Sequence, residues 1–209
     1  MKVLECFLAL NGECKKELLK TLLKNLKPGF IIGVDGGTRH FVEIGVKPDL
    51  IIGDMDSLEL EIKGVEVLEF PEDKDEIDAQ LALDECFMKG GKRAFVACWR
   101  GERVDMEYAL LLLLKKYGSR KVVLLDEKCE VFYVEGCEKL KAKSGEKWSI
   151  LPLGGPSIVT LEGFKYEIRE KPMPSDKPYG VSNVALGNEV KIEAHRGGVV
   201  VIRWLQRPL

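Results

Sequence analysis

Histidine is almost missing from this chain: His40 and His195 are the only two, far apart and without metal-ligand spacing. The six cysteines (Cys6, Cys14, Cys86, Cys98, Cys129 and Cys137) form no C-x-x-C pair, so no zinc centre is expected. Most of them fall within apolar patterns and read as reduced core residues of a cytoplasmic protein. Long apolar runs are lacking too. The longest, residues 109–114, falls far short of the roughly 20 residues a membrane helix needs. The first residues have no signal-peptide core, so no membrane partner is expected. Nor is there an excess of base: 32 Lys and Arg against 34 Asp and Glu leave a formal charge of −2, without the footprint of a nucleic-acid partner. A Walker loop, G-x-x-x-x-G-K-[ST], occurs nowhere, and neither do internal repeats or low-complexity tracts.

What is present is a globular composition, 45% hydrophobic and 32% charged, on a chain long enough to bury a sizeable core. Two patterns divide it. In residues 1–127, the runs 3–10, 30–34, 50–53, 65–70, 93–98 and 121–125 read as strands. Between them, 15–26, a short stretch through Phe41 and Ile44, 76–88 and 105–117 read as helices. Leu18, Leu19, Leu22, Leu23 and Leu26 mark one helix face; Ala79, Leu83, Cys86 and Phe87 mark another. Such alternation predicts an α/β domain of three layers, a parallel sheet covered by helices on both faces. Residues 128–209 lose the helical period. Short runs at 130–134, 147–151, 158–161, 164–168, 189–195 and 199–204, separated by Gly, Pro, Asn and Ser, predict an antiparallel β-sandwich. Residues 171–180, with Pro172, Pro174 and Pro178, read as a loop.

In the first half, the first five expected strands each run into a turn rich in acid or glycine. In order these are Asn11-Gly12, Asp35-Gly36-Gly37, Asp54-Met55-Asp56-Ser57, Pro71-Glu72-Asp73-Lys74-Asp75-Glu76-Ile77-Asp78 and Trp99-Arg100-Gly101-Glu102-Arg103-Val104-Asp105. Carboxyl ends of neighbouring parallel strands converge on one edge of a sheet, where open α/β folds bind ligands. That edge would collect Asp35, Asp54, Asp56, Asp75, Asp78 and Asp105, with Lys74 and Arg103 among them. Asp54 and Asp56 point the same way if the chain stays extended. Two crowded anions repel unless a cation sits between them, and hard oxygen ligands suit Mg²⁺. The segment then reads as a metal clamp for a phosphorylated substrate, with Lys74 and Arg103 suited to phosphate oxygens. Gly36 and Gly37 would let the backbone approach phosphate closely. Each signal also has a plainer account. Asp54 and Asp56 can cap turn amides, Gly36-Gly37 can be a tight turn, Asp75 and Asp78 can favour a helix start, and Arg103 can pair with a surface acid. Coincidence at five successive strand ends favours the shared site.

These residues, in this order, resemble the thiamine pyrophosphokinase family over nearly the whole chain. The most specific part is Asp35-Gly36-Gly37 followed by Gly45-Val46-Lys47-Pro48-Asp49-Leu50-Ile51-Ile52-Gly53-Asp54-Met55-Asp56-Ser57. Lys74-Asp75 with Asp78 and Gly101-Glu102-Arg103-Val104-Asp105 are similar to two further family segments, with Ile77 where threonine is usual. Leu151-Pro152-Leu153-Gly154, Thr160-Leu161-Glu162-Gly163-Phe164-Lys165-Tyr166 and Val181-Ser182-Asn183 resemble segments of its β-rich half. The resemblance implies a catalytic α/β domain, a C-terminal β-sandwich, and a homodimer with thiamine bound between subunits. It implies transfer of pyrophosphate from ATP to the thiamine hydroxyl, with Mg²⁺ as cofactor, giving thiamine diphosphate and AMP. By carry-over, Asp54, Asp56 and Asp78 would hold Mg²⁺, and with Asp105 near the reacting phosphates they form the catalytic set. Asn11, Asp35, Gly36, Gly37, Lys74 and Arg103 would contact ATP, and Ser182 and Asn183 would line the thiamine side. Thiamine is a flat cation, so Trp148, Tyr166, Tyr179 and Trp204 are candidates for an aromatic face, each equally suited to packing. Met106 stands where many members carry histidine or glutamine, and it cannot hydrogen-bond a phosphate usefully. Rival readings are a pyrophosphokinase acting on a hydroxymethylpterin, a non-catalytic nucleotide or thiamine sensor, and a Mg²⁺-dependent phosphohydrolase.

Overall fold

In the computed structural model, which describes residues 4–53, 62–71 and 73–205, strands and helices alternate through the first half as their periodicities predict. The strands β1 (Glu5–Ala9), β2 (Phe30–Val34), β3 (Leu50–Gly53), β4 (Glu66–Glu69) and β5 (Arg93–Ala97) run parallel in the order β5-β1-β2-β3-β4. Between or after them come α1 (Lys16–Leu26), α2 (Thr38–Glu43), α3 (Asp78–Met88) and α4 (Val104–Tyr117), then β6 (Val122–Leu125). All of β3, and all but the first residue of β1 and β5, is buried, the pattern of strands covered on both faces. In α1 the leucine stripe turns Leu19 and Leu22 into the core. Ala9 stands opposite both Gly33 and Ala97, and Val34 opposite Ile52, so the carboxyl ends of β1, β2, β3 and β5 lie level. Contacts divide the chain into two units, Met1–Glu107 with Leu124–Asp126, and Tyr108–Val123 with Glu127–Pro208. Among the described residues no helix is long and apolar enough to cross a membrane.

The second unit holds the antiparallel strands β7 (Cys129–Lys141), β8 (Lys147–Pro152), β9 (Ser157–Glu162), β10 (Ile168–Met173), β11 (Asn183–Val184) and β12 (Glu189–Trp204). Two expected runs, 189–195 and 199–204, are one long strand that bends at Gly197-Gly198. There a Cβ on Gly198 would fall on the Tyr133 hydroxyl, and one on Gly197 would sit 2.6 Å from the Pro156 carbonyl oxygen. Along its length β12 pairs with β7, while its other edge meets β9 before the bend and β8 after it. The residues after β9 fold back on those of β11: Lys165 N–H donates to Val184 O at 2.8 Å and Leu186 N–H to Gly163 O at 2.9 Å. Fully buried Trp148 and Phe164 meet edge-to-face, ring centres 5.9 Å apart, in the interior these strands enclose. The expected sandwich forms, with two local corrections. Residues 164–167 give a single bridge at Phe164 rather than a strand, and Ile168 already opens β10. Lys171, Pro172 and Met173, expected in a loop, belong to β10, which pairs only with β9 among the described strands. An edge strand tolerates the missing N–H of Pro172.

Four of the six cysteines are in disulfides, Cys6–Cys86 and Cys14–Cys98, and this corrects the expectation that all are reduced. Separations of 80 and 84 residues carry no local signal; the pairing of β1 with β5 and the run of residues 10–13 beside the end of β5 bring the partners together. The argument for a reducing compartment from cysteine usage falls with them.

Candidate active site

The level strand ends fix where the first-half turns meet. After β1 the chain keeps pairing with the end of β5: Leu10 N–H donates to Ala97 O, Gly12 N–H to Cys98 O at 2.8 Å and Glu13 N–H to Arg100 O at 2.7 Å. Gly12 has no room for a side chain, since a Cβ there would sit 2.5 Å from the Cys98 carbonyl oxygen. After β2, Asp35 takes a left-handed conformation (φ 47°) and opens the turn Asp35–Gly37 that leads into α2. Gly37 packs against the backbone of Leu10, where a Cβ would lie 2.5 Å from its carbonyl carbon. Gly36 lies under the Asn11 side chain, with 2.7 Å from a would-be Cβ to each of its amide atoms. The Asp35 carboxylate lies against Gly53, where any Cβ would collide with Oδ1. Asn11, Asp35, Gly36 and Gly37 therefore share one edge with Gly53, the residue before Asp54. Asp54 and Asp56 themselves lie outside the described residues.

The expected cations are close to the expected acids. Lys74 Nζ lies 2.9 Å from Asp78 Oδ1, with both side chains mostly buried, and donates to Pro71 O at 3.0 Å. Asp78 is the first residue of α3. Arg103 grips Asp105 with two N–H groups, Nε to Oδ1 at 2.9 Å and Nη2 to Oδ2 at 2.6 Å, both on the surface. Hydrogen bonds from Arg103 hold the Asp105 carboxyl down at about 2. Met106 follows, partly exposed. In the second unit Ser182 is exposed in a left-handed conformation (φ 60°). Asn183 is buried and its amide is engaged on the backbone: Oδ1 accepts from Tyr166 N–H at 3.0 Å and Val184 N–H at 2.9 Å, and Nδ2 donates to Tyr166 O at 2.9 Å. Of the four aromatic candidates, Trp148 is fully buried, whereas Tyr166, Tyr179 and Trp204 are exposed.

Two residues at the strand-end edge were missed by a reading that looked for acids and glycines. Arg39 Nη2 donates to Asn11 Oδ1 at 2.5 Å. His40 Nε2 lies 3.0 Å from Gly12 O, and since a carbonyl can only accept, that nitrogen carries the proton. Burial pushes the His40 pKa below its ordinary 6.5; the Gly12 bond and Glu43 oppose the shift, and Arg39 adds to it. An unfolded His40 takes up a proton at a higher pH than the folded one. The stability it contributes is thus present above about pH 6.5 and lost as pH falls through the folded value. Thermal unfolding of wild type and His40→Gln at pH 7.5 and 5.5 checks this, because glutamine can donate to Gly12 O without titrating. The wild-type midpoint is expected to fall more on acidification than that of the variant; equal falls would contradict the assignment.

The first unit is thus an open parallel α/β sheet that brings Asn11, Asp35, Arg39 and close-packed glycines together at its strand carboxyl ends, the class of fold that binds ligands there. The second unit is an antiparallel β structure in the same chain. Comparison with known proteins specifies the class. Residues 20–125 match the thiamin pyrophosphokinase catalytic domain, and residues 138–199 match the thiamin pyrophosphokinase vitamin B1 binding domain. The chain belongs to the thiamin pyrophosphokinase family. It is 24% identical over 169 residues to thiamine pyrophosphokinase 1 of Oryza sativa subsp. japonica, and 24% over 170 residues to that of Arabidopsis thaliana. These matches cover 72% and 71% of this chain but only 64% and 62% of the plant proteins, so the chain spans less than two thirds of these curated relatives. The crystal structure of thiamine pyrophosphokinase from Bacillus subtilis superposes with a TM-score of 0.83, covering 97% of this chain and 99% of that one. At 21% identity that likeness is one of fold.

Proposed function

We propose that this protein transfers the terminal pyrophosphoryl group of ATP to the hydroxyl of thiamine, with Mg²⁺, giving thiamine diphosphate and AMP. The observation that carries the reading is the approach of the Asp35 carboxylate to Gly53, which brings the turn after β2 to the start of the Asp54–Asp56 segment. Mg²⁺ fits the donors on offer, because carboxylate oxygens are the hard ligands it takes. Among the described residues no three metal-capable side chains gather, and two of the three proposed ligands lie outside them. Asp54, Asp56 and Asp78 are the proposed ligands; the ion supplies charge neutralisation on the triphosphate.

The chain's own residues do the positioning on which such transfers depend. Without ligand, Lys74 is matched to Asp78 and Arg103 to Asp105. A bound triphosphate offers both cations a better-charged partner and releases both carboxylates. Either acid can then take the thiamine hydroxyl proton. Asp105 can do so only once Arg103 has turned to phosphate, because the Arg103 pairing holds its carboxyl at about 2. Gly36 and Gly37 let the turn pack against Asn11 and Leu10 at the end of β1, and the backbone of that turn, with Asn11 beside it, is the proposed phosphate contact. The B1-binding match over residues 138–199 supports a thiamine role for the second unit, with Ser182 and the exposed Tyr166 and Tyr179 as contacts. A homodimer is proposed with it. Its support is the exposed apolar stripe Val104, Tyr108 and Leu112, at successive i, i+4 positions of α4.

The test is to incubate protein, ATP, Mg²⁺ and thiamine and identify products by chromatography. AMP and thiamine diphosphate in equal amounts are expected, with none after chelation of Mg²⁺. AMP formed only with a hydroxymethylpterin, phosphate release without acceptor, or binding without product would overturn the reading in favour of one rival.

A further inference from the structure

We propose that Arg39 is a polyphosphate-binding residue of the nucleotide site, held in position by Asn11; this rests on the nucleotide reading above. Arg39 follows buried Thr38 directly after the turn Asp35–Gly37, and its side chain reaches the residue that follows β1. Its Nη2 donates to Asn11 Oδ1 at 2.5 Å. The Asn11 amide can lie there because Gly36 leaves space: a Cβ at Gly36 would be 2.7 Å from its Cγ, Oδ1 and Nδ2. Three elements of the sequence therefore cooperate to place one guanidinium over the glycine turn.

Charge then decides what that guanidinium is for. Lys74, Arg100 and Arg103, the other cations of the strand-end turns, each have a carboxylate partner in Asp78, Asp126 and Asp105. Arg39 has no ion pair among the described residues; its anchor is a neutral amide. Among the described residues one of its five N–H donors is used and no carboxylate offsets its charge, which leaves the rest of the fork for two oxygens of a phosphate. Neighbouring His40 is kept towards its neutral form by burial, so positive potential at this end of α2 comes from Arg39. A side chain already fixed by one bond loses less freedom on gripping a ligand than a loose surface arginine would. A planar fork of this kind suits phosphate oxygens rather than the adenine ring.

Calorimetric titration with ATP and with AMP, both with Mg²⁺, tests this on wild type, Arg39→Gln, Arg39→Lys, Asn11→Ala and the double variant Arg39→Gln/Asn11→Ala. Arg39→Gln is expected to weaken ATP binding by about 10- to 100-fold and AMP binding by much less. Lysine should restore part of the loss, as a point charge without the fork. Asn11→Ala should weaken ATP by a smaller factor, and the double variant should lose no more than Arg39→Gln, because Asn11 acts through Arg39. Unchanged thermal midpoints and thiamine KM show that the fold and the acceptor side are intact. The proposal is overturned if Arg39→Gln binds ATP as wild type does, or if it loses ATP and AMP equally; the pyrophosphokinase reading survives either result. Wild type that binds neither nucleotide overturns both.

Discussion

Alanine at Asp54 or Asp56 is expected to lower kcat by about a thousandfold, with the thermal midpoint nearly unchanged. The reason lies in how rigidly the strand before them is held. Leu50, Ile51 and Ile52 are buried and in register with β2, so the chain leaves the sheet at a fixed point beside the Asp35 carboxylate. Asp54 and Asp56 follow that point in the sequence, after the strand rather than within it. They serve a triphosphate greatly if they hold its metal, and losing that charge stabilisation costs several kcal/mol, at 1.36 kcal/mol per tenfold in rate. Steady-state kinetics on both variants, with melting curves as the control for folding, measures the effect. Near-wild-type turnover in both would remove the clamp.

The largest expected loss of stability comes from Trp148→Ala. Trp148 is fully buried on β8, edge-to-face with Phe164 and under the Arg203 guanidinium at 5.0 Å. Arg203 in turn grips buried Glu146 through Nη2 at 3.0 Å and Nε at 3.2 Å. Emptying the ring's volume should cost about 3–5 kcal/mol, as large aromatic truncations in well-packed cores do. Trp148→Phe should cost clearly less, since the indole N–H has no hydrogen-bond partner among the described residues to lose. Asn183 stands opposite Trp148 in the β11–β8 register, so the alanine variant should also loosen the backbone of Tyr166 that Asn183 holds. Denaturant unfolding of the three proteins decides it; a midpoint for alanine equal to wild type would contradict the packing described.

Legibility in the sequence followed the range of the interactions. The leucine stripe of α1 and the buried run Leu50–Gly53 announce themselves through periodicity, and the turn residues after each parallel strand are read from local spacing. Among the acids, Asp35 is where strand order puts it, against Gly53 at the end of the neighbouring strand. Disulfides 80 and 84 residues apart depend on which strands pair, and no spacing reveals that. Pro172 disguised β10, since a proline excludes a central strand but not an edge. Gly197-Gly198 reads as a turn, yet β12 passes through it with a bend. The motif marks Asn183 as a candidate lining residue, while the hold of its amide on Tyr166 shows only in three-dimensional contacts. Arg39 escaped notice for a similar reason: what distinguishes it from other surface arginines is its tether to Asn11.

The central claim is that the β- and γ-phosphates move together to thiamine. Incubation with ATP labelled at the γ-phosphate, thiamine and Mg²⁺, followed by separation of the products, tests it most directly. The account predicts label in thiamine diphosphate, unlabelled AMP in equal amount, and none in inorganic phosphate. Label in thiamine monophosphate with ADP as the second product, or in free phosphate, would contradict it.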